Sequence, residues 1–558
     1  MSIEIADEKL ILQQAYDKET NRSDELYLTQ PVGGGRLDTY TWARFMDETR
    51  RIAAYLKAQN LPPKSHIGLI SKNCAHFLMT DLAIWMAGHV SVALYPTLNA
   101  ETVGYILEHS ETKMLFVGKL DTWDEMKKGV PEDMPLVSFP LAPENDYTTW
   151  NDLIAEYEPL EGSPTRPSDD MALIMYTSGS TGRPKGVMHT FGSISAAGQL
   201  LVEAFDFTRD DRILSYLPLA HALERWFVET CGLISGFQIF FADSLQTFVE
   251  DMQRARPTLF LSVPRLWLKF QSGILKKMPQ KKLSRMLRIP ILGGIVRKKI
   301  LTALGLQHVR IAGSGSAPIA GELLQWYRDL GLEILEGYGM SENFSCSHLT
   351  MPGRVRVGYV GETYPGVECK IAEGGEILVN SPGNMLGYYK MPEESAESFT
   401  EDGYLKTGDR GELDSMGRLK ITGRTKELFK TSKGKYIAPA PIENIINTHP
   451  LIELSCVSGS GYPKAYGIVM LSEELYSKHG DNEFRSSVEE QLTELLSTVN
   501  SKVENFEQLQ FFAIAKQPWT IEDNLLTPTQ KIKRAKIEEL FDPNLDEWYA
   551  TKKKVIWQ

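Results

Sequence analysis

The chain has 558 residues, 42% of them apolar and 24% charged, with a formal net charge of −12. That length exceeds what one hydrophobic core holds and implies roughly two to four domains. The acidic balance argues against a general nucleic-acid binder, which needs a basic footprint, so no nucleic-acid partner is expected.

The N-terminus, Met1-Ser-Ile-Glu-Ile-Ala-Asp-Glu-Lys, lacks the apolar core of a secretory signal. No uninterrupted apolar run approaches the ~20 residues needed to span a bilayer. Cys74, Cys231, Cys346, Cys369 and Cys456 form no CxxC pair and read as unreactive thiols of a reducing compartment. A cytoplasmic location is expected.

From about residue 40 to 160, helical patterns alternate with short apolar runs. Residues 42–56 carry apolar side chains at helical spacing, and 66–71 read as a strand. Further strand-like runs occur at 114–117, 172–176, 259–263 and 309–314, with helical stretches between them. That alternation implies βαβ units and mainly parallel sheets. After about residue 355, short β-like pieces follow one another, punctuated by turn signals at Asp402-Gly403 and Met416-Gly417. The expected fold is α/β. A large N-terminal domain, 1–425, holds two αβ sheet subdomains and a β-rich subdomain at about 355–425. A small α/β domain follows at 426–558.

The strongest local signal is Tyr176-Thr-Ser-Gly-Ser-Thr-Gly-Arg-Pro-Lys-Gly186, directly after an apolar run. Thr177, Ser178, Ser180 and Thr181 supply hydroxyls, while Gly179 and Gly182 let backbone amides face an anion. Lys185 adds a mobile cation. Such a loop at a strand end can hold polyphosphate. It is not a Walker P-loop, because Arg183 and Pro184 separate Gly182 from Lys185.

This loop resembles the signature loop of the adenylate-forming superfamily, which includes acyl-CoA synthetases, adenylation domains of peptide synthetases and firefly luciferase. The resemblance spans roughly residues 35 to 540, with further motifs in the expected order. It implies that the loop grips the β- and γ-phosphates of ATP. Tyr216-Leu-Pro-Leu-Ala-His221-Ala-Leu-Glu-Arg225 resembles the segment bordering the carboxylate site, in a form closest to long-chain fatty acyl-CoA synthetases. Trp226 stands where a gate to an acyl tunnel could sit, although its spacing from His221 does not match the family's gating tryptophan. Gly313-Ser-Gly315-Ser316-Ala317-Pro resembles the lining of the adenine pocket. In Glu336-Gly337-Tyr338-Gly339-Met-Ser341-Glu342, the Tyr338 ring offers a stacking face for adenine. The resemblance further implies Ser341 on the α-phosphate and Glu342 on a magnesium ion.

Thr407-Gly-Asp409 resembles the ribose-binding carboxylate, and Ile421 and Arg424 are placed by the same resemblance against the nucleotide. Lys426 matches the hinge position about which the C-terminal domain turns between half-reactions. Lys433 and Gly434 resemble the loop that meets the pantetheine arm of coenzyme A after that turn. Leu526-Thr-Pro-Thr-Gln-Lys531-Ile-Lys-Arg534 resembles the catalytic-lysine motif, with Gln530 where glycine is usual. The implied roles make Lys531, Glu342 and His221 catalytic, with ATP, magnesium and coenzyme A as the small-molecule requirements.

No acidic residue occurs between Asp251 and Glu322, where Lys269, Lys276, Lys277, Lys281, Lys282, Arg285, Arg288, Arg297, Lys298 and Lys299 crowd the middle. This 269–299 stretch is either a solvated helical face or a surface drawn to anionic lipid or to coenzyme A phosphates. The expected activity is ATP-dependent ligation of a carboxylic acid, medium- to long-chain fatty acid first, to coenzyme A by way of an acyl-adenylate. The alternatives are a short-chain, aromatic or sulfur-containing acid, or an adenylation module loading a carrier protein. The chain is expected to act as a monomer or homodimer.

Overall fold

In this computed structural model residues 5–177 and 183–558 are described. Five of the expected strands are present as His66–Ile70, Met114–Val117, Met171–Thr177, Leu259–Ser262 and Ile311–Ser314. The expected helix runs Trp42–Ala58, its first turn closed by the Thr41 side chain accepting from the Arg44 amide.

Two large sheets, of eight and nine strands, dominate the first 390 residues. Their central strands are parallel, as in the run Arg212–Ser215, Leu259–Ser262, Ile311–Ser314, Ile334–Tyr338. The margins turn antiparallel. Met171–Thr177 pairs antiparallel with Lys185–Thr190, since a short connection cannot carry the chain back to the start of a parallel neighbour. The sheets are therefore mainly parallel, as expected, with antiparallel strands at their margins.

Helix Ala75–Met86 is apolar on nearly every side, and all 12 of its residues are buried. A helix of that kind must lie inside the protein. It packs against Leu26–Pro31 of one sheet and against His66–Ile70 and Val90–Leu94 of the other. The two sheets thus share one core.

Strands Glu368–Ile371, Glu376–Asn380, Leu405–Leu413 and Leu419–Arg424 make a four-stranded antiparallel sheet. The last two are joined by a turn in which Gly417 takes φ +78°, a left-handed value that glycine adopts without strain. Beyond it, Ile452–Ser458, Ala465–Leu471, Leu509–Ile514 and Val555–Trp557 form a second four-stranded sheet with its own apolar clusters. Helix Asn482–Lys502 packs on this sheet. Arg534 ties the unit together by bonding both Glu443 oxygens, at 2.6 and 3.0 Å, and the Val457 carbonyl.

No described helix is long and apolar enough to cross a membrane. Cys74, Cys231, Cys346 and Cys456 are buried and Cys369 half-buried, all free.

Candidate active site

The parallel strands of the nine-stranded sheet end at Ser215, Ser262, Ser314 and Tyr338. Carboxyl ends of parallel strands are where ligands enter such sheets. A cleft of about 2830 Å³ opens there, closed on its far side by the C-terminal unit. Thr177, Lys185, His221, Gly315, Ser316, Ala317, Glu336, Gly337, Tyr338, Gly339, Ser341, Glu342, Asp409, Ile421, Arg424, Lys426 and Lys531 all line it. Ser178, Gly179, Ser180, Thr181 and Gly182 lie outside the described residues. Lys433 and Gly434 are not part of the lining; they sit at the tip of the hairpin joining Phe429–Lys430 to Tyr436–Ile437.

The expected phosphate loop springs from a rigid base. Thr177 and Lys185 are directly paired in the antiparallel ladder, so both loop ends are fixed. The Lys185 ammonium lies 4.7 Å above the Tyr388 ring, and the Tyr388 hydroxyl donates to Glu342 Oε1 at 2.9 Å. One tyrosine thereby links the loop cation to the carboxylate. Burial, partly offset by that hydrogen bond, pushes the Glu342 carboxyl above its usual range. His189 Nε2 donates to the Ser341 carbonyl at 2.8 Å, which holds the neighbouring residue. Gly339 is required by packing, because a Cβ there would meet the Ser345 carbonyl oxygen at 2.5 Å.

On the opposite wall, Tyr338 donates to Asp409 Oδ2 at 2.8 Å and Arg424 Nε donates to Oδ1 at 3.1 Å. Asp409 and Arg424 are themselves cross-strand partners. Glu336 is buried, and its Oε2 has no hydrogen-bond partner. Burial raises its carboxyl to about 7, which makes it a donor or acceptor awaiting a partner in the cleft.

His221 begins a short helix and its Nδ1 accepts from the Leu223 amide at 3.1 Å. That bond fixes the neutral tautomer, so Nε2 carries the hydrogen. Burial, and then the Lys531 charge, lower its pKa to about 4. Behind it, Glu224 Oε1 accepts from the Tyr216 amide, the Ser215 hydroxyl and Asn73 Nδ2 at 2.9, 2.8 and 3.1 Å. Burial raises Glu224 to about 8. Trp226 is 5% exposed, and its Nε1 donates to the Ala197 carbonyl at 2.8 Å. That bond holds the ring in the cleft wall.

Lys531 comes from the other side. The turn that carries it is closed by Thr527, whose amide donates to the Lys531 carbonyl at 2.8 Å and whose Oγ1 accepts from the Lys531 amide at 3.0 Å. Lys531 keeps solvent contact within the cleft, yet protein surrounds it. That enclosure, then the Arg424 charge, lowers its ammonium pKa, while Asp409, Glu342 and Glu427 oppose the shift. Gln530 has φ +59°, a left-handed value costing a non-glycine residue roughly 1 kcal/mol. This explains why glycine is the usual residue there. Arg265 Nη1 bonds the Gln530 Oε1 at 3.2 Å, holding the turn to the cleft wall.

Among the described residues no cluster of three His, Cys, Asp or Glu side chains could hold a metal. Magnesium bound to nucleotides takes one or two carboxylates plus phosphate oxygens and water. The single Glu342 carboxylate, half-buried at the cleft, fits that donor set.

A sequence model described as AMP-binding enzyme matches residues 17–389, and one for the AMP-binding enzyme C-terminal domain matches 427–553. The chain belongs to the AMP-binding enzyme family. Within this family it is similar to fatty acyl-CoA synthetase A of Dictyostelium discoideum, at 28% identity over 95% of this chain and 89% of that protein. It is 30% identical to human long-chain-fatty-acid–CoA ligase 1, over 92% of this chain and 83% of the relative. Among solved structures, the A-PCP didomain of a carboxylic acid reductase from Segniliparus rugosus, in complex with AMP, superposes with TM-score 0.80 at 21% identity. That match covers 98% of this chain and 83% of the other, and shows a shared fold. As an AMP-binding enzyme the chain is an ATP-dependent, acid-activating ligase.

Tyr388, His189, Asn73 and Glu224 escape sequence reasoning. Each acts by touching a residue over 100 positions away or a separate element, except Tyr388, which reaches Glu342 across 46 positions. The tandem Tyr388-Tyr389 is the one local hint, and it would fit any strand edge.

Proposed function

We propose that this AMP-binding enzyme joins a fatty acid of medium to long chain to coenzyme A through an acyl-adenylate. The observation that carries the reading is the convergence of Lys531, His221, Glu342 and the Asp409–Arg424 pair on one cleft.

A carboxylic acid is a poor acyl donor because hydroxide leaves badly. In the first half-reaction a carboxylate oxygen attacks the α-phosphorus of ATP, the bond to the bridging oxygen breaks, and pyrophosphate departs. Charge spreads over phosphate oxygens in that transition state, so catalysis consists of positioning and preorganised cations. Lys531 supplies a cation between carboxylate and α-phosphate. His221 Nε2–H donates to the incoming carboxylate without adding a charge that would attract it away from the phosphorus. Thr177, the 178–182 segment and Lys185 hold the outer phosphates. Tyr338 and residues 315–317 bind adenine, Asp409 and Arg424 bind ribose, and Ser341 bonds the α-phosphate. Glu342 would hold magnesium, which supplies charge neutralisation on the phosphates when bound.

In the second half-reaction the coenzyme A thiolate attacks the acyl carbonyl, the carbonyl–phosphate oxygen bond breaks, and AMP leaves. Charge then develops at a different atom, and Lys531 is no longer needed. The C-terminal unit turns about Lys426, bringing Lys433 and Gly434 to the pantetheine arm. The fatty-acid reading is supported by apolar side chains in the same cleft, including Leu201, Phe205, Leu223, Phe227 and Leu335. Each buried methylene contributes about 0.8 kcal/mol, so preference should rise stepwise with chain length until the cavity ends.

A second reading is favoured by the solved structures. The likeness at TM-score 0.80 to an A-PCP didomain supports an adenylation module that passes its acyl group to a carrier protein, and that at TM-score 0.77 to an anthranilate CoA ligase, 19% identical, supports a ligase for a smaller, aromatic acid. Exchange of pyrophosphate into ATP with acids of two to eighteen carbons tests activation. Adding coenzyme A or a phosphopantetheinyl carrier then identifies the acceptor. Exchange with long acids and AMP release with coenzyme A supports the first reading. Exchange with short or aromatic acids only, or turnover with the carrier alone, supports the second. No exchange with any acid overturns both.

A further inference from the structure

We infer that the surface formed by helices Pro264–Lys277, Gln280–Leu287 and Leu292–Ala303 is a docking site for an anionic lipid membrane. The inner faces of these helices are spent on packing: Trp267, Phe270, Leu283, Val296 and Ile300 are buried in a core with Trp326 and Tyr327. What remains outside is charged with one sign. Lys281, Lys282, Arg285, Arg288, Lys298 and Lys299 are exposed there, while the exposed Lys269, Lys276 and Lys277 line the cleft. None of these nine lies within 4.0 Å of a carboxylate in any ion pair among the described residues. Arg297 is the exception in the run, turned inward to the Asp329 carbonyl at 2.8 Å. Elsewhere exposed cations do have carboxylate partners, as Arg44 has Asp38 and Lys127 has Asp124.

Among these cations stand apolar side chains in water. Ile289 is 49%, Ile291 85% and Ile295 59% exposed. Ile291 also adopts φ +67°, a left-handed value that is strained for a β-branched residue, and it presents its side chain at the junction of two helices. An apolar tip within a ring of lysine and arginine matches a bilayer interface, where phosphates meet the cations and acyl chains meet the isoleucines. A polyanion in water would use the cations alone and leave the isoleucines exposed. The whole chain carries −12 and should be repelled by an anionic surface at long range, so attraction must come from this patch.

The test is sedimentation of the full chain with vesicles of phosphatidylcholine, with and without phosphatidylglycerol, at low and high salt. Partition onto the phosphatidylglycerol vesicles is expected at low salt, with loss at high salt and little binding to phosphatidylcholine alone. Replacing Lys281, Lys282, Arg285 and Arg288 with glutamine should cut partition roughly six-hundredfold, at about fivefold per cation. Ile291→Ser should cut it several-fold with an unchanged melting temperature. Glutamine at Lys552, Lys553 and Lys554 should change nothing. The inference is overturned by absent binding at low salt, by equal loss from the 552–554 control, or by release of bound protein with coenzyme A. The last outcome would assign the cations to that compound's phosphates. Vesicle partition is read without turnover, so it stands or falls separately from the ligase reading.

Discussion

Tyr338 donates its phenolic hydrogen to Asp409 Oδ2 at 2.8 Å, bridging 71 residues of sequence and joining the nine-stranded sheet to the antiparallel one. The bond fixes the carboxylate that Arg424 meets from its other oxygen. Asp409→Ala would leave both donors unpaired, at roughly 1.5–3 kcal/mol for each bond to a charged group. The KM for ATP is expected to rise at least tenfold in pyrophosphate exchange, with Asp409→Asn milder. An unchanged KM would remove Asp409 from the nucleotide site.

Lys531→Ala is expected to slow adenylation by about 3–4 kcal/mol in barrier, the loss typical of one electrostatic stabiliser. Thioester formation from supplied acyl-adenylate should be nearly intact. Because enclosure and Arg424 lower the Lys531 ammonium pKa, the useful cation is lost as pH rises, earlier than for an ordinary lysine. The parent's adenylation rate should therefore fall on the alkaline side, whereas Lys531→Arg should be slower but keep its charge there. Parallel pH profiles for the two would assign the limb to another group.

Tyr388→Phe deletes the donor on Glu342 while keeping the ring beneath Lys185. A free carboxylate oxygen repels its surroundings more and holds a cation less well placed. The magnesium concentration for half-maximal exchange is expected to rise several-fold, with little change in the KM of the acid. Titration with magnesium at fixed ATP reads this directly.

Glu224 has its folded pKa raised by burial to about 8 from an ordinary 4.5. Between those values the folded chain holds a proton that the unfolded chain has lost, so stability falls as pH rises through this window. Glu224→Gln keeps an oxygen to accept from Tyr216, Ser215 and Asn73 and cannot ionise. Its melting temperature should decline less than the parent's from pH 6 to 9 (~ one group's linkage). An equal decline in both proteins would place the titration elsewhere.

Lys426 lies in the 3-10 turn Thr425–Glu427, exposed in the cleft. Proline there restricts φ and the residue before it. Lys426→Pro is expected to impair thioester formation much more than adenylation. Equal loss in the two half-reactions, each measured separately, would sink the hinge.

Motifs with local rules were readable along the chain. The strand before Thr177 followed from a β-favouring apolar run, and the turn at Gly417 from its dipeptide. The unusual Gln530 was visible as a departure, but its reason was not, since only backbone geometry reveals a left-handed residue beside Lys531. The antiparallel margins of the mainly parallel sheets were likewise hidden, because strand direction depends on how the chain returns.

The amino-acid sequence by itself determined the α/β fold, the order of the nucleotide-binding motifs and the cation-only stretch, because periodicity, turn chemistry and charge are properties of neighbouring residues. Tertiary structure alone decided that Tyr388 bridges Lys185 to Glu342, that Trp226 bonds the Ala197 carbonyl, and that six exposed cations lie outside the cleft near three exposed isoleucines. Those relations depend on which distant side chains are brought within a few ångströms, and on which faces packing leaves uncovered.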